Sequence, residues 1–316
     1  MGNVCVLGLF CVDLITRTER LPAWGESLRG EGFSLKPGGK GANQALAAAY
    51  QGAAVSFISR LGDDAFAEIA HDLFSKGRID TAHVTVDEHL PTGTATIMVD
   101  SNKGDNAIVV DTGACRAITT QQIDEAASCI QAADIFVCQL ELPLPICAHA
   151  IGVARASNVP VILNPAPALS LPEHFYPFID YLTPNETEAA ALVDHAVDTD
   201  DEVVAAAAAL RSRGVSTVLI TLGERGVFID SETFQGIIPA FDAGPVVDTI
   251  GAGDAFNGAL AAALAAGHAL PDAARRACIT AGLSVTKAGA ATSLPSKDTV
   301  DQHLGCESGS PFAPST

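Results

Sequence analysis

Hydrophobic and polar positions along the chain follow two rhythms. Val4–Leu9 is a short unbroken apolar run, which suits a strand buried on both faces. "GANQALAAAYQG" then predicts a helix with Gly52 at its end. The pair returns as "AVSFISRLG", a buried strand, and "DAFAEIAHDLFSKG", a helix closed by Gly77. Further on, "ADIFVCQLE", "VPVILNPAP" and "STVLITLG" read as strands, and "PICAHAIGVARASN", "ETEAAALV" and "DEVVAAAAALRSRG" as helices. "GVFIDSETFQGIIPA" reads as a hairpin. Strands alternating with helices predict an α/β fold with a mainly parallel sheet covered by helices on both faces.

Two stretches break that rhythm. "LITRTERLPAWGESLRGEGFSLK" and "TGTATIMVDSNKGDNAIVV" alternate in short runs interrupted by Gly, Pro and Asn. They predict antiparallel strands forming a small accessory sheet, a lid, from about residues 14–36 and 92–110. The rest of residues 1–305 reads as a single domain, and the Ser- and Pro-rich end, 306–316, as a disordered tail.

Charge narrows the partners. A net charge of −19 repels nucleic acid and anionic membranes, so neither is expected to bind. The eight cysteines form no C-x-x-C pair and sit mostly in apolar runs. They read as small core residues in a reducing compartment, and no signal-peptide pattern opens the chain, so a cytoplasmic location is expected.

Four polar stretches carry candidate chemistry. "DTIGAGDAF" ends in a small flexible turn where a helix begins. First-turn N–H groups lack intrahelical partners, and glycines let a phosphate approach them. Gly251, Ala252 and Gly253 would form an anion pocket with Asp254 at its rim. A carboxylate there suits a proton acceptor for a hydroxyl attacking phosphorus, although a helix-capping Asp fits the turn equally. "PGGKGANQA" is a second Gly-rich loop entering a helix. "TPNETEA" sets Asn185 and Glu188 one turn apart, a spacing that suits Mg²⁺ or its waters and equally a helix cap. "TLGERGVF" follows a strand and can lay backbone N–H groups along a nucleotide, or form an ordinary hairpin turn. No G-x-G-x-x-G follows the first strand, which argues against a dinucleotide-binding dehydrogenase. "GGKG" lacks the spacing of a P-loop.

Together "GGKGANQ", "NPAPA", "TPNETEA", "TLGERGV" and "VDTIGAGDAFNGAL" resemble the ribokinase-like sugar kinases of the PfkB family, over about Val4 to His303. The resemblance implies a three-layer α/β/α fold with a β-lid. It implies ATP-dependent transfer of the γ-phosphate to a primary hydroxyl, with D-ribose as the expected acceptor. Deoxyribose, a ketohexose, a keto-deoxy sugar acid or a nucleoside are the alternatives inside the class. A non-catalytic sensor on the same fold would be expected to lack Asp254 or the glycines, and both are present.

By this resemblance Asp254 is the catalytic base and Gly251, Ala252 and Gly253 form the anion hole. Cys11, Asp13, Gly39, Lys40, Asn43 and Glu141 fall at sugar-contacting positions. Asn185, Thr221, Gly223, Glu224, Gly226, Gly253 and Cys278 fall at nucleotide positions, and Glu188 in the element linked to Mg²⁺. Asp248, Ile250, Ser284, Lys287, Gly289 and Ser293 match the positions that hold K⁺. Two lids clasping would make a homodimer. Two positions depart from the pattern. Cys11, in "LFCVDL", stands where the family's ribokinases carry Asn, which serves a sugar hydroxyl better than a thiol does. Cys278 replaces a residue that is often polar near the adenine.

Overall fold

The computed structural model describes residues 2–102 and 105–307. Nine strands form the large sheet: β1 (Asn3–Leu7), β4 (Ala54–Gly62), β5 (Asp80–Asp87), β8 (Ile135–Gln139), β9 (Val161–Asn164), β10 (Tyr181–Leu182), β11 (Thr217–Thr221), β12 (Val227–Asp230) and β13 (Gln235–Ile238). Their order is β13-β12-β11-β10-β9-β8-β1-β4-β5. Pairing is parallel from β11 through to β5, and the β11–β12–β13 end is antiparallel. The parallel core follows from the unbroken apolar runs. Val4 and Val6 join the buried cluster on one face, Cys5 and Leu7 the cluster on the other. Both faces are covered, the arrangement an all-apolar strand requires. The edge strand β5 was not foreseen, because "DTAHVTVD" mixes charge into its alternation.

A separate four-stranded sheet is ordered β3-β2-β6-β7, with β2 (Cys11–Thr18), β3 (Gly32–Gly38), β6 (Gly93–Asp100) and β7 (Asn106–Asp111). The expected antiparallel pairing holds for β2–β3 and β6–β7. The two hairpins join through β2 and β6, which run parallel. Sequence patterning within each hairpin says nothing of how the two meet. Cys11 opens β2, after the three residues Gly8–Phe10 that leave β1.

Helix ends follow local chemistry with two shifts. The helix Lys40–Tyr50 starts at Gly39, whose φ of 89° favours glycine, and stops two residues before Gly52. The helix Ala65–Gly77 retains Gly77, and Arg78 takes the left-handed position after it. Cys306 and Glu307, assigned to a tail, close the helix Lys297–Glu307; the remainder of that tail, 308–316, lies outside the described residues. No helix among the described residues is long and apolar enough to cross a membrane.

Candidate active site

The carboxyl ends of β1, β8, β9, β10 and β11 face one edge of the sheet, and the polar stretches converge there. The helix Ala252–Ala265 begins at Gly251, whose φ of 80° places it in the left-handed region. A Cβ on Gly251 would lie 2.6 Å from that of Ala290, so only glycine allows the turn to sit against residues 289–293. Gly253 is exposed, with open space in front of it. Asp254, one residue on, is 7% exposed.

Asp254 meets the second Gly-rich loop because two helices pack closely. A Cβ on Gly258 would lie 2.4 Å from the Gln44 carbonyl, so the helix Ala252–Ala265 rests directly on the helix Lys40–Tyr50. Across that contact Asn43 Nδ2 donates to Asp254 Oδ2 and Gln44 Nε2 to Oδ1, both at 3.0 Å. Gln44 also donates to Asn164 Oδ1 and accepts from Gln139 Nε2. Asn164 donates to the Thr183 carbonyl, Thr183 to Asn257, and Asn257 to the Gly253 carbonyl. This buried polar chain locks the orientation of Asp254. Asn43 Oδ1 and Gln139 Oε1 are buried without a partner among the described residues. Gln44, Gln139, Asn164, Thr183 and Asn257 were not singled out from the sequence. The available signal was a Gln inside an Ala-rich, otherwise buried helix.

Lys40, Glu141 and Asp13 lie near Asp254. Burial pushes its carboxyl above the usual carboxylate range, while Lys40, Asn43 and Gln44 oppose that shift. Asp254, with Glu141 assisting, raises the Lys40 ammonium. Glu141 Oε2 accepts from the Lys40 backbone N–H at 2.9 Å, and burial pushes its carboxyl up to about 7. Asp13, on β2, is pushed up to about 6 by burial, with Asp254 adding to the shift. Cys11 is buried with Sγ 3.7 Å from Asp13 Oδ1. Gly39 lies against the Leu9 carbonyl, where no Cβ fits. Asp13, Lys40, Asn43 and Glu141 of the expected sugar-position set are therefore gathered near Asp254.

Most of the nucleotide-position set follows β10 and β11. Asn185 forms a bridge to Thr221 at the end of β11. Asn185 and Glu188 cap their helix, Glu186–Val193, reciprocally: Asn185 Oδ1 accepts the Glu188 N–H and Glu188 Oε2 accepts that of Asn185. The capping alternative is thus realised, and it leaves one Glu188 oxygen without a hydrogen bond among the described residues. Burial raises the Glu188 carboxyl, and Lys40 and Asp254 lie within its electrostatic reach. Gly223 and Glu224 are exposed after β11, and Gly226 turns tightly against residues 238–240. Cys278 is buried, with Sγ near the Ile238 carbonyl.

A third group joins two loops. Asp248 Oδ1 accepts from Ile250 N at 3.0 Å and Oδ2 from Gly289 N at 2.8 Å. Ser284 and Ser293 hydroxyls donate to carbonyls of their own helices, and Lys287 is exposed. Lys36 reaches from the lid to Gly289, where an added Cβ would come within 3.1 Å of its Nζ. No group of three or more His, Cys, Asp or Glu able to hold a metal occurs among the described residues.

The pfkB carbohydrate kinase family model matches residues 1–297. The chain belongs to this family. Its relatives include the Haemophilus influenzae ribokinase, 37% identical over 93% of this chain and 96% of that protein. A Salmonella typhi deoxyribokinase is 36% identical over 96% of this chain and 98% of its own length. An Arabidopsis thaliana ribokinase complexed with ribose and ATP superimposes with a TM-score of 0.91 at 31% identity, covering 96% of this chain and 98% of that one. Family membership makes the chain a phosphotransferase acting on an alcohol group, built on the ribokinase fold.

Proposed function

We propose that the chain transfers the γ-phosphate of ATP to the primary hydroxyl of D-ribose. The observation that carries this reading is Asp254, a buried carboxylate at a glycine-built helix mouth, held by amides on both oxygens. Asp254 accepts the hydroxyl proton as that oxygen attacks the γ-phosphorus, and ADP leaves. The N–H groups of the Gly251–Gly253 turn receive the negative charge developing on the transferring phosphoryl. Asp13, Glu141 and Asn43 hold the sugar, and the unpartnered Asn43 Oδ1 takes a sugar hydroxyl. Asn185, Thr221, Gly223, Glu224, Gly226 and Cys278 line the nucleotide.

The free oxygen of Glu188 fits Mg²⁺ through water, since that ion keeps several waters and shares phosphate oxygens. Mg²⁺ supplies charge neutralisation of the triphosphate. The loops tied by Asp248 offer one carboxylate and backbone carbonyls, a donor set of low charge that suits K⁺. A reducing cytoplasm fits seven free described cysteines.

The second reading is 2-deoxyribose, favoured by Cys11 beside Asp13 in place of Asn. Phosphorylation of a panel of sugars and nucleosides with ATP, Mg²⁺ and K⁺ tests both readings. Ribose is expected to give the highest kcat/KM, and the ribose proposal fails if another acceptor exceeds it. The lid exposes Phe33, Leu35, Ile108, Val109 and Val110, an apolar surface that supports pairing of two lids in a homodimer. Light scattering at micromolar concentration is expected to give a dimer mass, and a monomer would exclude it.

A further inference from the structure

The opposite edge of the large sheet, at the amino ends of β1, β4 and β5, holds a cleft of about 620 Å³. Cys5 and Cys129 both line it, together with Ser56, Arg78 and Asp80. Their sulfurs are 3.7 Å apart although 124 residues separate them in sequence. Cys5 is fixed in the middle of β1, whereas Cys129 is half-buried on the short helix Ala127–Gln131. The phosphoryl-transfer chemistry uses neither residue.

We propose that Cys5 and Cys129 form an oxidisable dithiol that a hydroperoxide entering the cleft converts to an intramolecular disulfide. The Cys129 thiolate attacks the peroxide, breaking the O–O bond and leaving a sulfenic acid and an alkoxide or hydroxide. Cys5 then attacks that sulfur, its S–H proton goes to the departing oxygen, and water leaves. One dithiol is oxidised per peroxide reduced. Roles divide by environment. Cys129 is lowered to about 6 by the Cys5 thiol, with Ser56 and His83 assisting and burial and Asp80 opposing. Cys5 is raised, first by that same hydrogen bond and then by burial. A thiol that is largely thiolate at neutral pH and opens on a cleft is the nucleophile, and its protonated neighbour resolves the product. Closing 3.7 Å to bonding distance needs a shift of about 1.7 Å, which the short helix carrying Cys129 can supply more readily than β1.

Stoichiometric hydrogen peroxide followed by intact-mass measurement tests this on the full chain. The expected product has lost two hydrogens, regains them with dithiothreitol, and yields a cross-link between tryptic peptides 1–17 and 117–155. Those peptides also carry Cys11, Cys138 and Cys147, so Cys129→Ser must abolish the link. Cys5→Ser must leave a sulfenic acid on residue 129 that dimedone captures. Before oxidation, iodoacetamide at pH 7 should alkylate Cys129 about tenfold faster than any other cysteine. A link that survives Cys129→Ser, or oxidation confined to other cysteines, overturns the proposal. Should Cys5→Ser fail to fold, Cys129→Ser and the alkylation rates decide alone.

Discussion

Asp254 receives two amide donors and is still held above the usual carboxylate range by burial, a combination that suits a proton acceptor. Asp254→Asn keeps the shape and removes the acceptor. Turnover should fall by about 10²–10⁴-fold, with ATP affinity nearly unchanged. Steady-state kinetics with nucleotide titration checks this, and near-normal turnover would exclude the assigned role. Cys11 is the second residue with a definite expectation. Its sulfur touches Asp13, so Asn at that position would donate both to Asp13 and to a sugar hydroxyl. Cys11→Asn should improve the KM for ribose relative to deoxyribose by up to about tenfold, one recovered hydrogen bond of about 1.4 kcal/mol. An unchanged ratio of kcat/KM values would leave Cys11 as packing.

Between elements the decisive contact is glycine against backbone. Gly258→Ala places a methyl 2.4 Å from the Gln44 carbonyl. The two helices must part, at a cost of about 1–3 kcal/mol, and Asp254 must loosen from Asn43 and Gln44. A lower melting temperature together with lower kcat is expected. Lower stability with full turnover would separate packing from catalysis. This contact also marks the limit of what the sequence discloses. Asp254 stood out as a candidate because a Gly-rich turn before an apolar helix is a local pattern, whereas Lys40 and Asn43 entered only through the family resemblance. Gln44 was not legible, since its work is done on a helix more than 200 residues away. Asn185 and Glu188 were legible only as two alternatives, because a spacing of three residues serves a cap and a metal equally. The parallel sheet was legible in its unbroken apolar runs. The parallel meeting of β2 with β6 was not, because it depends on which hairpin edge reaches the other.

Taken whole, the ligand-free molecule gathers Glu141, Glu188 and Asp254 around Lys40, with Asp13 near Asp254, within a chain of net charge −19. Asp13 and Glu141 have folded values of about 6 and about 7, above their ordinary 3.8 and 4.5. Across that interval these two carboxyls bind more protons in the folded chain than in the unfolded one, so their share of stability falls as pH rises. Cys129, lowered to about 6 from 9.0, gives a share of opposite sign. The carboxyls' contribution is complete below about pH 4 and is lost as pH climbs through 6 and 7. In Cys129→Ser, which removes that opposing share, the ligand-free protein should therefore melt at a higher temperature at pH 6 than at pH 8. Salt screens the surface share of that slope and leaves the buried share, so the difference should persist at high ionic strength and shrink in Glu141→Gln. Scanning calorimetry giving a flat or rising profile between pH 6 and 8 would contradict it.

The seat of Asp254 has a bearing on how such enzymes can be recombined. The carboxylate belongs to the part of the chain that carries the proposed donor-side loops, yet both its partners belong to the part that carries the proposed acceptor-side residues. On the proposed function, a chimera that borrows residues 1–141 from another family member would import a new acceptor pocket and, with it, the two amides that hold Asp254. On the proposed assignment, exchanges at that seam should stay coherent only when the graft brings Asn and Gln in register with Asp254, and such a graft should carry its acceptor preference with it.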